Sequence, residues 1–219
     1  MSDDEDSNEL IDKMEELREK VKDGTFNLGQ VSAWDDDIVG IEDTRNPKDE
    51  NQRKILEAAE NNDKSTLEAL LNADISLLNA VDKDGYSPLH RACYNGHADM
   101  VNILIQRGAD IKKTTIDGWM PLHSACKWNN TECVTILLNY GADINAQTNG
   151  GLTPLHLAAS HSHSRDILMI LLSHPNIDPH ILSKGNETAQ EIARRSGIHY
   201  GLFEVIEPCF NELSKENKI

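Results

Sequence analysis

The sequence predicts an all-α solenoid of about five helix–turn–helix units with β-hairpin tips, the outer units being degenerate caps, preceded by an acidic N-terminal segment. Three observations carry that prediction. First, three stretches align without gaps: DGYSPLHRACYNGH from Asp84, DGWMPLHSACKWNN from Asp117 and GGLTPLHLAASHSH from Gly150. Their prolines, Pro88, Pro121 and Pro154, recur every 33 residues. Second, each stretch is followed by an apolar run and a turn: VNILIQRGADI, VTILLNYGADI and LMILLSHPNID. A fixed period of this size marks supersecondary units that bury their apolar faces only by stacking. Third, charge divides the chain. Residues 1–50 hold 17 Asp and Glu against six Lys and Arg, most of the total net charge of −16.

In chain order, residues 1–47 form the acidic segment. Residues 8–22 place Leu10, Met14, Leu17 and Val21 on one helical face, with Asp6 and Glu9 suited to a capping box. About 15 residues make a helix that is marginal alone. Residues 23–47 have no period. They mix Phe26, Leu28, Val31, Trp34, Ile38, Val39 and Ile41 with acids such as Asp35-Asp36-Asp37. That composition suits a transcriptional activation segment and equally a soluble tail that shields the repeats. Ser2 precedes acids at each of the next three positions, a pattern read by acid-directed kinases, and is a candidate phosphorylation site. Residues 48–210 form the repeat domain, and 211–219 a C-terminal tail.

Within a unit, Pro88, Pro121 and Pro154 fit the first turn of a helix, where no backbone donor is required. Ser87 and Thr153 precede them as N-caps. Met120 stands there in the middle unit and should weaken that helix start. Ala92, Cys93, Ala125, Cys126, Ala158 and Ala159 let short helices approach closely. The second helix is apolar at Val101, Ile103 and Leu104, and again at Val134, Ile136, Leu137 and Leu138, which reads as a mostly buried helix. Gly108 and Gly141 end it with positive φ. Gly85, Gly118 and Gly151 mark the hairpins, and Asn186 takes that place in the last unit. Outer units are looser: Ala58 of KILEAAENND is in register with Ala92, and Ala193 of GNETAQEIARRSG follows Ala158. Terminal units that meet water are expected to be atypical.

These features resemble the ankyrin repeat, through Thr153-Pro154-Leu155-His156-Leu157-Ala158-Ala159, Gly96-His97 and Gly108-Ala109-Asp110. The resemblance implies a protein-binding module with a concave groove lined by hairpin tips and first helices. Its variable groove positions fall here on Lys83, Asp84, Tyr86, Tyr94 and Asn95; then Ile116, Asp117, Trp119, Lys127 and Trp128; then Asn149, Leu152, Ser160 and His161. Tyr86, Tyr94, Trp119, Lys127, Trp128 and Leu152 are the candidate partner-binding residues, since exposed aromatics anchor protein interfaces. The alternative is internal: Trp119 packs on its neighbour's hairpin and Trp128 lies under the N-terminal segment. The resemblance also makes His90, His123 and His156 hydrogen-bonding braces between units. Leu137, Asp143, Ile144 and Asn145 fit the pattern that the hypoxia-pathway asparaginyl hydroxylase accepts in ankyrin repeats. Asn145 is then a candidate acceptor, unless it only braces its turn. Within the family, Gln30–Trp34, Asp117–Asn130, Ile144–Thr148 and Ile192–Arg195 resemble one group of small members. That likeness implies an intracellular, nuclear protein associated with gene expression.

Other chemistries lack support. No phosphate loop, nucleophile elbow, acid dyad or HExxH helix is present, so no catalytic or cofactor-binding residue is expected. His161 and His163 lack further ligands at matching spacing, so no metal is expected. The acidic balance disfavours direct binding to nucleic acid or anionic membrane. No apolar run is long enough to span a bilayer, and MSDDEDSNEL is unlike a secretory signal. The expected protein is a monomer in the cytoplasm or nucleus. Cys93, Cys126, Cys133 and Cys209 have no metal-finger spacing and should be free thiols there. Cys93 and Cys126, in adjacent units about 10 Å apart, exceed the reach of a disulfide, about 7 Å.

Overall fold

A computed structural model describes residues 47, 49–161, 163–196 and 199–204, all within the compact unit Arg45–Ile219. The expectations for the helix at 8–22, the 23–46 stretch, Ser2, Cys209 and the 211–219 tail lie outside the described residues. Among the described residues nine α-helices with full bounds follow in order: α1 Glu50–Glu60, α2 Lys64–Ala73, α3 Pro88–Asn95, α4 Ala98–Gln106, α5 Pro121–Lys127, α6 Thr131–Asn139, α7 Pro154–Ala159, α8 Arg165–Leu172 and α9 Ala189–Ser196. A short 3-10 helix at Ile75–Asn79 follows α2. The described residues contain no strand, so the fold is the expected all-α ankyrin solenoid with hairpins made of turns.

Each first helix packs on the next, α1 on α3, α3 on α5, α5 on α7 and α7 on α9. The second helices line up behind them, α4 on α6 and α6 on α8. Ala92, Cys93, Ala125, Cys126, Ala158 and Ala159 are buried at those contacts, where their small volume sets the spacing. Val101, Leu104, Val134, Leu137, Ile167, Leu168, Leu171 and Leu172 fill the space between the helix layers. Fully buried Phe203 closes the last unit. One apolar cluster therefore runs through every unit, and no unit can keep its core without a neighbour.

The helix starts follow the caps. Ser87 and Thr153 Oγ atoms accept the backbone N–H groups of His90 and His156. Met120 has no side-chain oxygen, and the His123 N–H turns to the Met120 carbonyl instead, at 2.9 Å. α5 still begins at Pro121, because the proline and the His123 ring hold the turn. Replacing Met120 with Thr should therefore stabilise the protein by about 1 kcal/mol. A thermal melt unchanged or lowered by Met120→Thr would show that the missing cap costs nothing.

The hairpins repeat with equal regularity. Thr115 N–H donates to the Trp119 carbonyl, and Thr148 N–H to that of Leu152. Successive tips are stitched by Ile116 N–H to Asp84 O at 2.9 Å, Asn149 N–H to Asp117 O at 2.8 Å and Lys184 N–H to Gly150 O at 2.9 Å. Gly118 and Gly151 have φ of 78° and 73°. A Cβ at Gly151 would lie 2.7 Å from the Lys184 backbone nitrogen, so the stitch requires glycine on both counts. Asn186 takes positive φ as expected, 59°. In the Asn129-Asn130 pair only Asn129 is left-handed, also at 59°. Asn130 does different work: its side-chain amide donates to the Cys93 and Tyr94 carbonyls at 2.8 and 2.7 Å.

Candidate functional site

Two structural devices bring the candidate residues into rows. Asp82, Thr115 and Thr148 open successive hairpins. Their side-chain oxygens accept the backbone N–H of Tyr86, Trp119 and Leu152 at 2.8, 3.1 and 3.1 Å. These three candidates thus occupy one position in three consecutive units. Tyr94 and Lys127 occupy a second common position at the end of the first helices, and Trp128 is the next residue along.

All six candidates are half-buried. Tyr94 and Trp128 pack across the boundary between units, with ring centroids 4.6 Å apart and planes inclined by 56°. Tyr86 meets the His90 ring edge-on at 5.7 Å. Trp119 lies 6.3 Å from the His123 ring. Trp119 therefore meets the His123 ring of its own unit and Trp128 the Tyr94 ring of the preceding unit, while both stay half-buried. Ile116, on the tip beside Trp119, is 66% exposed, well beyond what its apolar side chain needs for packing. Leu182 on the last tip is also exposed. Burial lowers the pKa of the half-covered Lys127 ammonium.

The histidines at the helix starts are braces. The His90, His123 and His156 Nδ1 atoms accept the backbone N–H of Ser87, Met120 and Thr153 at 3.2, 3.0 and 3.2 Å. An Nδ1 that accepts carries no proton, so the proton sits on Nε2. Nε2 then donates to the next unit: His90 to Trp119 O at 3.0 Å, His123 to Ala146 O at 3.0 Å, and His156 to Glu187 O at 3.1 Å. Burial pushes the His90 and His123 pKa values down to about 4 and lowers that of His156. The His90 bond holds the carbonyl of Trp119, so the brace also fixes a candidate partner-binding residue. His97 reaches back to Glu60 O at 2.8 Å.

Asn145 spans two units. Its amide donates to Asn176 O at 2.7 Å and its oxygen accepts the Asp178 N–H at 3.0 Å. Both ends of the side chain are occupied in the folded protein. Among the described residues no three His, Cys, Asp or Glu side chains converge as a metal site would require.

Sequence reasoning missed one charged cluster. Arg91 is 3% exposed, and its guanidinium meets Glu60 at 2.6 Å and Asp82 at 3.1 Å. The same Asp82 carboxylate accepts the Tyr86 N–H, so the cluster also holds one of the candidate residues. The available signal was a charge at a position held by Ser124 and Leu157 in the next units.

A stack of helix pairs with stitched hairpin tips and a histidine brace in each joint defines an ankyrin-type protein-interaction module. Comparison with known proteins agrees: ankyrin repeats in three copies match residues 108–183, and ankyrin repeats in many copies match residues 70–125. The chain belongs to the ankyrin-repeat family. It is similar to ankyrin repeat domain-containing protein 49 of Bos taurus, at 55% identity over 157 residues, and of Homo sapiens, at 54% over 159 residues. Those matches cover 72% and 73% of this chain and 66% of each relative, so the chain spans just under two thirds of their length. The Drosophila melanogaster protein of the same name is 47% identical over 210 residues, covering 95% of this chain and 96% of the relative. Among the described residues no helix is long and apolar enough to cross a membrane.

Proposed function

We propose that this protein is a non-catalytic adaptor that captures a segment of a partner protein on the wall formed by Tyr86, Tyr94, Trp119, Lys127, Trp128 and Leu152. The observation that carries the reading is the set of half-buried aromatic residues in two successive units, with Tyr94 packed on Trp128 across the boundary and Ile116 beside Trp119 at 66% exposure. Half-buried aromatic rings held by their neighbours bury large area on binding at little entropic cost. The adaptor acts as a monomer in the cytoplasm or nucleus. The acidic segment 1–47 supports a second role, in the regulation of gene expression. Its charge and interspersed apolar residues are the observation that favours it, and the repeats would then be the tether. Asn145 is the candidate hydroxylation site, reached by the modifying enzyme when the joint to Asn176 and Asp178 opens.

Affinity capture from native lysate should distinguish the roles. The Trp119→Ala, Trp128→Ala double variant and, separately, Ile116→Asp are compared with wild type after circular dichroism shows all three folded. Specific partners should be depleted at least tenfold by the double variant, as loss of two anchors predicts, and reduced by Ile116→Asp. Equal recovery on all three proteins would eliminate the wall as the binding surface. Fusing residues 1–47 to a neutral DNA-binding domain tests the second role, since only an effector segment activates a reporter.

A further inference from the structure

The chain contains two Asn-Gly pairs, Asn95-Gly96 and Asn149-Gly150, and the fold treats them oppositely. Such a pair is open to one spontaneous reaction, because an unhindered glycine nitrogen can reach the side-chain amide before it. Asn95 ends α3, and the Gly96 N–H donates back to Ala92 O. The Asn95 side-chain amide donates to Arg91 O at 3.2 Å. Asn149 and Gly150 instead lie exposed on a hairpin tip. Among the described residues the Gly150 N–H has no acceptor.

Nothing in the backbone asks for glycine at 150. Gly118 and Gly151 take positive φ, but Gly150 does not. A Cβ there would meet only Thr148 Oγ1 at 3.6 Å and Leu152 Cγ at 3.9 Å, which are ordinary contacts. The same position in the two preceding tips is held by Asp84 and Asp117. Asn149, by contrast, holds a joint. Its backbone N–H donates to Asp117 O at 2.8 Å and its side-chain amide to Ile116 O at 2.7 Å. Its amide oxygen lies so close to Gly118 that a Cβ on that glycine would be 2.7 Å away. The side-chain bond is exposed to solvent, so releasing the amide for reaction slows it by only about fivefold.

We propose that Asn149-Gly150 is a self-modification site, at which water converts Asn149 to aspartate and isoaspartate and the joint between the third and fourth units is loosened. A solvent hydroxide removes the Gly150 N–H proton, and the nitrogen attacks Asn149 Cγ. A C–N bond closes a succinimide ring, the bond from Cγ to the amide nitrogen breaks, and ammonia leaves with a proton from water. Water then opens the ring. Attack at Cγ gives aspartate; attack at the backbone carbonyl carbon gives isoaspartate, whose main chain runs through Cγ. The sum consumes one water and releases one ammonia, with no oxidation. A carboxylate has no donor for Ile116 O and sets a negative charge against that carbonyl. Isoaspartate also inserts one carbon into the main chain between two stitches, Asn149 N–H to Asp117 O and Lys184 N–H to Gly150 O, so both cannot keep their lengths.

The test incubates the full chain at mildly alkaline pH in water labelled with heavy oxygen, then maps its peptides by mass spectrometry. Asn149 should be converted at least about tenfold faster than Asn95, since reaction at Asn95 must also free the Gly96 N–H from its helix bond. Each product should carry one labelled oxygen, and the isoaspartyl form should accept a methyl group from an isoaspartyl carboxyl methyltransferase. Gly150→Ala should fold without a lower thermal midpoint and slow the conversion severalfold or more, since its methyl group shields the nitrogen. Asn149→Asp, which reproduces one product, should lower the midpoint by about 3 °C, as loss of one hydrogen bond predicts. Equal conversion at the two pairs, conversion without uptake of label, or an unconverted Asn149 after prolonged incubation would each overturn the site. A midpoint unchanged both in Asn149→Asp and in the converted protein would overturn the loosening. Comparison of the two pairs in the wild-type chain decides the matter even if Gly150→Ala fails to fold.

Discussion

Lowering the pH from 7 to 4 should cost the folded protein roughly 6 kcal/mol through two histidines alone. His90 and His123 are held at about 4, chiefly by burial, whereas the unfolded chain titrates near 6.5. Between those values the unfolded chain binds protons that the native chain refuses, so stability must fall as pH falls. The contribution is complete above about 6.5, shrinks by roughly 1.4 kcal/mol per pH unit for each histidine, and changes little below about 4. The geometry supplies the cause beyond desolvation. A proton on Nδ1 would face the N–H of Ser87 or Met120 and break the cap from which the brace is aimed. His156 and His161, also lowered by burial, act in the same direction. The capping carboxylate of Asp63 titrates at about 2, below this window. Against a typical total stability of about 5–15 kcal/mol, such a loss is decisive. Urea unfolding followed by circular dichroism between pH 7 and 5, above the range of ordinary carboxylates, isolates the effect. A midpoint that stays constant across that interval would mean that the rings are not buried neutral braces.

The repeat was readable because its period depends on residues with few substitutes. A proline at the first turn, a glycine or asparagine at positive φ and a small residue at the helix contact each answer one steric demand, and those demands recur every 33 residues. The wall was readable only as positions. Alignment placed Tyr86, Trp119 and Leu152 in one row, but the stacking of Tyr94 on Trp128 depends on side-chain directions that spacing does not specify. Asn130 shows how a substitution can preserve a task. It replaces the histidine found at His97, yet both side chains hold backbone carbonyls of the preceding unit.

Truncation of Arg91 should be among the most damaging single changes, for a reason that the neighbouring units expose. Its guanidinium lies between Asp82, whose side chain is 0% exposed, and Glu60 at 27%. Arg91→Ala leaves the Asp82 carboxylate buried without its cation, which costs about 3–5 kcal/mol. The damage would reach the wall, because Asp82 Oδ1 also accepts the N–H groups of Asp84 and Tyr86. The fourth unit solves the same problem without charge. Leu157 stands where Arg91 does, and Thr148 stands where Asp82 does, with its hydroxyl bracing Leu152. Arg91→Leu alone should remain costly, since it fills the space but strands the carboxylate. Arg91→Leu combined with Asp82→Thr should recover stability to within about 1 kcal/mol of wild type, as apolar replacement of a whole buried ion pair commonly does. The coupling between the two sites, read from a double-mutant cycle of urea midpoints, should exceed about 2 kcal/mol. Glu60 is partly solvated and can lose its partner at smaller cost. Additive losses would instead show that Arg91 stabilises mainly by packing its stem. Recovery in the double variant would mean that the charge cluster is one of two interchangeable ways to hold the same hairpin, and that the wall above it depends on the turn rather than on the ion pair.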